Sequence, residues 1–332
     1  MTSPTSVLFV GGTGIISAAC ARQATGQGMR VCVLNRGRSG RPLPEGVEVL
    51  TADINDRAAV QAALGGREFD AVVDWVAFGA ADIDRDLDLF GARTGQFVFI
   101  SSASAYQTPP ERLPIRETTP LSNPFWVYSR EKIAAESRLT AEAARRGVSW
   151  TIVRPSHTYD ETMVPFDGGW TAVQRMRDGK GVVVPGDGTS LWTITHSRDF
   201  AVGLAGLLGV AQAIGEIYHI TTDEAITWNS IYRAMAAAAD ADPDLVHVPS
   251  DAVATVHPEW GAALLGDKSH SMIFDNTKIK RLVPAFSATT RFEEGAREIV
   301  AWHDAAAVRR RCDPAIDHAM DQLVAAYRPR QL

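Results

Sequence analysis

The sequence predicts an α/β protein: a doubly wound parallel sheet followed by a smaller C-terminal lobe. Three observations predict it. Short apolar runs alternate with helical stretches through the first half. The first of those runs opens straight into a glycine turn and a helix. After Arg154 the alternation gives way to a segment punctuated by Pro155, Pro165, Gly168, Gly169, Gly179, Gly181, Pro185, Gly186 and Gly188.

Taken in order, Val7-Leu8-Phe9-Val10 is a continuous apolar run, the mark of a strand buried on both faces. Gly11-Gly12-Thr13-Gly14-Ile15-Ile16-Ser17 follows, then a helix over 18–25. Strand, glycine turn and helix are the context of a dinucleotide-binding loop. The glycines let the backbone approach a pyrophosphate, and the helix N-terminus offers it free N–H groups and a positive dipole end. Further strands are expected at Val31-Cys32-Val33-Leu34, Val47-Glu48-Val49-Leu50, Ala71-Val72-Val73-Asp74, Phe97-Val98-Phe99-Ile100 and 149–153. Helices are expected over Arg57–Leu64 and Val127–Arg146. This rhythm makes 1–155 a Rossmann dinucleotide-binding region and leaves 156–332 mostly to a substrate-binding lobe. The strand Glu216–Ile220 and a helix over 227–239 are expected to return to the main sheet or to cap it. Asp82, Asp84, Asp86 and Asp88 read as the solvated acidic face of a helix, without metal.

Composition narrows the function. Apolar residues make up 45% of the chain and charged residues 22%, as in ordinary globular proteins. The net charge of −6, from 33 basic and 39 acidic residues, steers nothing toward nucleic acid. Cys20, Cys32 and Cys312 are scattered and show no metal-ligand spacing with the histidines. The polar stretch Met1 to Ser6 leaves no room for a signal peptide before the first strand. The apolar stretch 200–211 is too short to span a membrane and reads as a buried helix. A cytoplasmic protein is expected.

Two stretches carry chemistry. Tyr128-Ser129-Arg130-Glu131-Lys132 opens the long helix, and residues four apart share a face. A nearby ammonium favours the phenolate, so Lys132 is expected to lower the Tyr128 pKa and let the phenol exchange a proton with an alcohol. Ser101-Ser102-Ala103-Ser104-Ala105-Tyr106 lies just past a strand end, where a hydroxyl can hold the same oxygen.

These features together resemble the extended short-chain dehydrogenase/reductases, of the NAD-dependent epimerase/dehydratase group, most strongly from Val7 to Tyr159. The glycine loop is matched at Gly11, Gly14 and Ser17, with serine in place of the third glycine. The resemblance implies Ser102, Tyr128 and Lys132 as the catalytic set. It implies a cofactor site formed by Gly11, Thr13, Gly14, Ile15, Ile16, Asn35, Arg36, Arg38, Asp53, Ile54, Val76, Ser101, Tyr128, Lys132, Pro155 and His157. Ser102, Ser104, His157, Trp192 and Arg198 are the expected substrate contacts. A homodimer paired through long helices such as 127–146 is also implied.

Departures from the family pattern refine this. Asn35 stands where NAD-selective members keep a ribose-binding Asp, and Arg36 and Arg38 follow, which favours NADP within an NAD(P) expectation. Ala103 and Ser104 replace the Asp-Glu of dehydratases. Trp192 stands where sugar-nucleotide enzymes place a diphosphate-binding arginine; it offers a flat face to a sugar or nucleobase, or else belongs to the core. Lys268, His270 and Arg198 are left to restore charge contacts. The resulting expectation is an NAD(P)-dependent epimerase of a sugar-like substrate acting through a keto intermediate. A net dehydrogenase or ketoreductase is the first alternative. A non-catalytic nucleotide sensor or RNA-binding relative is the second, because Leu34-Asn35-Arg36-Gly37 also resembles the chloroplast stem-loop-binding branch.

Overall fold

A computed structural model describes residues 4–328; Met1–Ser3 of the polar N-terminal stretch lie outside the described residues. Its centre is a 7-stranded sheet of β1 (Ser6–Val10), β2 (Arg30–Asn35), β3 (Glu48–Thr51), β4 (Ala71–Asp74), β5 (Phe97–Ile100), β6 (Trp150–Pro155) and β7 (Glu216–Ile220). The order is β7-β6-β5-β4-β1-β2-β3, and every neighbouring pair is parallel. The chain reverses its direction of travel across the sheet between β1 and β4. A crevice at such a switch point, beyond the C-terminal strand ends, is where doubly wound sheets bind ligands.

The helices α1 (Ile15–Gly26), α2 (Arg57–Leu64), α3 (Ala80–Phe90), α4 (Val127–Arg146), α5 (Gly169–Arg177) and α6 (Ser197–Ala205) divide the packing. Because side chains alternate along a strand, Val7 and Phe9 of β1 face one core with Ala19, Cys20 and Ala24 of α1 and Phe200 and Leu204 of α6. Leu8 and Val10 face the opposite core with Val60 and Leu64 of α2, Ile83, Leu87 and Phe90 of α3, and Ala135 and Leu139 of α4. A third core belongs to the lobe, where Trp170, Trp192, Trp228, Tyr232 and Phe292 are buried together. The lobe's short strands pair outside the main sheet: His157–Tyr159 with Ile194–His196, Leu191–Trp192 with Ile226–Thr227, and Val182–Pro185 with Leu245–Val248.

Three expectations change. The helix against the sheet is α6, ending at Ala205 rather than continuing through the turn before Ala211–Ala213. The helix Trp228–Ala238 packs in the lobe core, not on the sheet. The aspartates of α3 are not one solvated face: Asp86 is fully buried, and Asp82 accepts the N–H groups of Phe78 and Gly79 at the helix start. Period-two charge on a 3.6-residue helix cannot stay on one side, so one carboxyl turns inward.

The long helix α4 is fixed to the sheet by a charge pair. Arg154 of β6 donates Nε and Nη2 to the two oxygens of Glu136, at 2.9 and 2.5 Å. The two side chains are 2% and 4% exposed. Ser101, just beyond β5, donates its hydroxyl to the same carboxylate. The Arg154 guanidinium also lies 4.6 Å from the centre of the Tyr106 ring. The Tyr106 hydroxyl meets His219 Nδ1 at 3.0 Å, and His219 Nε2 faces the Asp275 carbonyl at 2.9 Å. A carbonyl only accepts, so Nε2 carries the proton and Nδ1 takes the phenol's.

Breaking one side of such a pair leaves a buried charge uncompensated. Glu136→Ala is expected to lower the free energy of urea unfolding by about 3–5 kcal/mol, while Glu136→Met combined with Arg154→Met loses much less.

Candidate active site

The glycine loop begins where β1 ends. Gly11 has φ +89°, and a Cβ there would fall 2.4 Å from Val76 Cγ1 across the switch crevice. A Cβ on Gly12 would fall 2.7 Å from Val33 Cγ2. Side chains at these two positions would therefore collide with β2 and the turn after β4. Ser17, in place of the family's third glycine, accepts the Gly14 N–H at 2.8 Å and donates to the Gly11 carbonyl at 3.0 Å. The loop is thus tied from within. Gly14 brings no capping side chain to α1, Ser17 takes only the Gly14 N–H, and the N–H groups of Ile15 and Ile16 have no acceptor inside the helix. A bare helix start behind a cramped glycine turn fits a pyrophosphate.

On one side of the loop is a cavity of about 390 Å³. Gly11, Thr13, Asn35, Arg36, Arg38, Asp53, Ile54 and Val76, all expected cofactor contacts, line it. The Asn35 side chain is spent on the Gly37 N–H, at 2.8 Å, and Asp53 turns back to Asn55. No carboxylate at position 35 faces the arginines. The loop after β2 then reaches across to the lobe, where Arg41 pairs with the buried carboxylate of Asp160 and donates to Thr162 Oγ1 at 2.8 Å.

On the other side is a cavity of about 380 Å³, reached by Ile15, Ile16, Ser102, Ser104, Tyr128, Pro155, His157 and Trp192. The residues expected to act on substrate are therefore together, with one exception. Arg198 sits at the start of α6 and donates to Thr290 and to Glu294 and Glu298 on the helix Phe292–Asp304, outside this cavity. Ser101 is adjacent, but its hydroxyl belongs to Glu136. Trp126, Met163, Asp267 and Phe274 also line the cavity and were not singled out from sequence. A tryptophan next to Tyr128 was the available signal for the first; the others come from loops with no local pattern.

The electrostatics differ from the sequence expectation. Burial raises the Tyr128 pKa, the charge of Asp267 adds to this, and the Ser102 hydroxyl beside it pulls the other way. Lys132 does not lower it here. Its ammonium donates to the carbonyls of Ala77 and Ile100 at 2.7 and 2.9 Å and lies 5.9 Å from the Tyr128 ring centre. Burial brings Lys132 down to about 8 despite Asp74, Asp82 and Glu136. One of its three N–H groups remains for a ligand hydroxyl. His157 is pushed down to about 3 by burial and by Lys268, so it is neutral. Burial raises Asp267 to about 7.

Beneath the crevice, Asp74 at the end of β4 holds the N–H groups of Val76 and Ala77 at 2.9 and 3.0 Å. Its second oxygen is buried with no hydrogen-bond partner among the described residues, and its charge acts on Asp86, which Arg85 grips at 2.7 and 2.8 Å. Burial first, and then the Asp74 charge, push Asp86 up to about 9, so its carboxyl keeps a proton at neutral pH.

The sequence profile of the NAD dependent epimerase/dehydratase family matches residues 7–221. The chain belongs to this family. It is 25% identical over 260 residues to the chloroplast stem-loop binding protein of 41 kDa b of Arabidopsis thaliana, covering 74% of this chain and 66% of that protein. It is 27% identical over 167 residues to the UDP-glucose 4-epimerase of Lactobacillus helveticus, covering 45% of this chain and 50% of that one. The chain thus spans less than two thirds of the length of these curated relatives. The fold matches Thermus thermophilus UDP-glucose 4-epimerase, solved in complex with NAD, at TM-score 0.69 and 20% identity, over 91% and 99% of the two chains. Among the described residues no cluster of metal-ligating side chains occurs, and no helix is long and apolar enough to cross a membrane.

Two outcomes test this geometry. Gly11→Ala is expected to weaken binding of NAD and NADP alike, by tenfold or more on the order of 1–2 kcal/mol, because the site combines φ > 0 with a steric collision. Asp86 keeps its proton up to about 9 in the folded protein, whereas an unfolded aspartate loses it near ~3.9. The folded state therefore binds more protons between those values. Its stability falls as pH rises, by at most about 1.4 kcal/mol per pH unit. Asp86→Asn should flatten this slope in urea midpoints compared between pH 6.5 and 8.

Proposed function

We propose that this chain is an NAD(P)-dependent epimerase of a sugar-like secondary alcohol. The observation that carries the reading is the convergence of Ser102, Tyr128 and His157 on one cavity at the start of the glycine-loop helix, with Lys132 one turn behind Tyr128. A bound nicotinamide supplies the hydride acceptor and donor. Tyr128, as its phenolate, takes the proton of the substrate hydroxyl, and the phenol so formed later returns it. Ser102 hydrogen-bonds the same oxygen and steadies the phenolate. Ser102 is itself oriented by Ser104, whose hydroxyl is 2.9 Å away and whose N–H donates to Ser102 at 3.1 Å. Lys132 turns its spare N–H to the cofactor ribose. Trp126, Trp192, Phe274 and Met163 keep water from the reacting carbon and leave a sugar room to present either face.

Loss of water is disfavoured, because Ala103 and Ser104 occupy the Asp-Glu positions and neither is an acid. Net oxidation or reduction uses the same groups and differs only in whether the ketone leaves. NADP is the favoured cofactor. Arg36 and Arg38 line the first cavity with no carboxylate at position 35 to repel a 2′-phosphate. Cytoplasmic location and pairing of two copies through α4 belong to the same reading.

The Arabidopsis relative's name raises RNA binding as a second reading. The net charge of −6 and the complete Ser102, Tyr128, Lys132 set weigh against it. RNA affinity falling steeply with added salt would favour it.

Turnover is best sought by NMR in deuterated water with a panel of nucleotide sugars, sugar phosphates and free sugars. Epimer formation with substoichiometric cofactor is expected; absorbance growing with substrate at the reduced-nicotinamide band would instead indicate net redox. Tyr128→Phe is expected to cut the rate by about 10²–10⁴ with cofactor affinity retained, and full activity in that variant refutes the assignment. Arg36→Ala with Arg38→Ala should weaken NADP at least about tenfold relative to NAD; an unchanged ratio removes the NADP preference.

A further inference from the structure

The cavity in front of Tyr128 holds two ionisable side chains that the proton transfer does not use. Asp267 and Lys268 are consecutive on the π-helical turn Leu264–Lys268, and both line the cavity. Asn123 Nδ2 donates to the Gly266 carbonyl at 2.6 Å. The Trp228 indole donates to the Lys268 carbonyl at 3.0 Å. Ser269 donates both N–H and hydroxyl to the Leu264 carbonyl at 2.8 and 2.9 Å. A Cβ on Gly266 would lie 2.5 Å from Trp126 Cβ, so the turn is pressed against the residue before α4. A turn held this firmly delivers its side chains to a fixed place. π-Bulges of this kind are frequent at functional sites.

Lys268 is only 5% exposed. Among the described residues its ammonium has no hydrogen-bond or ion-pair partner; it lies over the Trp126 ring, 5.7 Å from the centre. Asp267 likewise has no side-chain hydrogen bond among the described residues. A buried ammonium without an anion is costly, and the chain supplies none in contact. Among the described residues Lys268 is also the one cation on the cavity wall, since His157 is neutral and Arg198 is held by Glu294 and Glu298 elsewhere.

We propose that Lys268 and Asp267 are specificity-determining residues for a sugar bearing a single acidic substituent, a monoester phosphate or a carboxylate, which Lys268 binds while Asp267 accepts ring hydroxyls. The proposal rests on the reading of this cavity as the sugar site. A pyrophosphate linker would bring two charges to one ammonium. Trp126, Trp192 and Phe274 supply flat faces for the C–H side of a pyranose ring.

The test is binding to the full chain with NAD present, read by tryptophan fluorescence and calorimetry. The probes are glucose 1-phosphate, galactose 1-phosphate, glucuronate and galacturonate, with glucose and UDP-glucose for comparison. At least one single-anion probe should bind about tenfold or more tighter than glucose, and no weaker than UDP-glucose. Phosphate and carboxylate probes separate the two sources of the anion. Lys268→Met should lose about tenfold or more of that affinity while NAD affinity is unchanged. Lys268→Gln should lose the same, and Lys268→Arg should keep most of it. Asp267→Asn should weaken the sugar anion but not inorganic phosphate. Unchanged affinity in Lys268→Met and Lys268→Gln, no preference over glucose, or tighter binding of UDP-glucose than of every single-anion probe overturns the proposal. Failure of the active-site reading is separate: it shows as full turnover in Tyr128→Phe, a variant that leaves anion binding intact.

Discussion

One carboxylate, Glu136, organises the chemistry of this protein. It takes two N–H groups from Arg154 and the hydroxyl of Ser101, all away from water. Each partner adjoins a working residue: Ser101 precedes Ser102, and Arg154 precedes Pro155 and leads to His157. Glu136 itself lies one helical turn beyond Lys132 and two beyond Tyr128. The ends of β5 and β6 and the face of α4 are therefore indexed to a single point. A charge buried this deeply is a poor source of net stability, since its desolvation offsets much of the attraction. What it provides is alignment, because any shift of the helix along the sheet would leave three groups unsatisfied at once.

The same economy governs the cofactor side. Gly11 and Gly12 leave no space for side chains beside Val76 and Val33, so the loop backbone itself forms the wall where a pyrophosphate fits. The turn after β4 that meets the loop is held by Asp74, which accepts the N–H groups of Val76 and Ala77 and sits near the protonated Asp86. The Ala77 carbonyl in that turn is in turn a ligand of Lys132. Proton, turn and ammonium form one connected support under the crevice. Lys132 is thereby engaged with backbone before any ligand arrives. That is why its charge does less to the resting phenol than the four-residue spacing suggests.

Much of this was legible in the sequence. The sheet strands, the glycine turn and the bounds of α2 and α4 follow from local periodicity and short motifs. Such signals survive because each depends on residues within one or two turns of each other. What escaped reading depends on long-range partners. Asp86 looks like any exposed helical aspartate until Asp74 is placed against it. Arg198 has the charge of a substrate clamp, but Glu294 and Glu298, almost a hundred residues on, claim it. Asp267 sits in a stretch without sequence periodicity, and only the folded chain sets it beside Lys268 on the wall of the Tyr128 cavity.

The tether between Arg41 and Asp160 bears on timing. It joins the loop that carries Arg36 and Arg38 to the segment that carries Met163, so one stretch of backbone spans both cavities. On the proposed reading, a dinucleotide bound along these two cavities would lie beside that ion pair, and an intact pair, with Asp160 buried, would slow its departure.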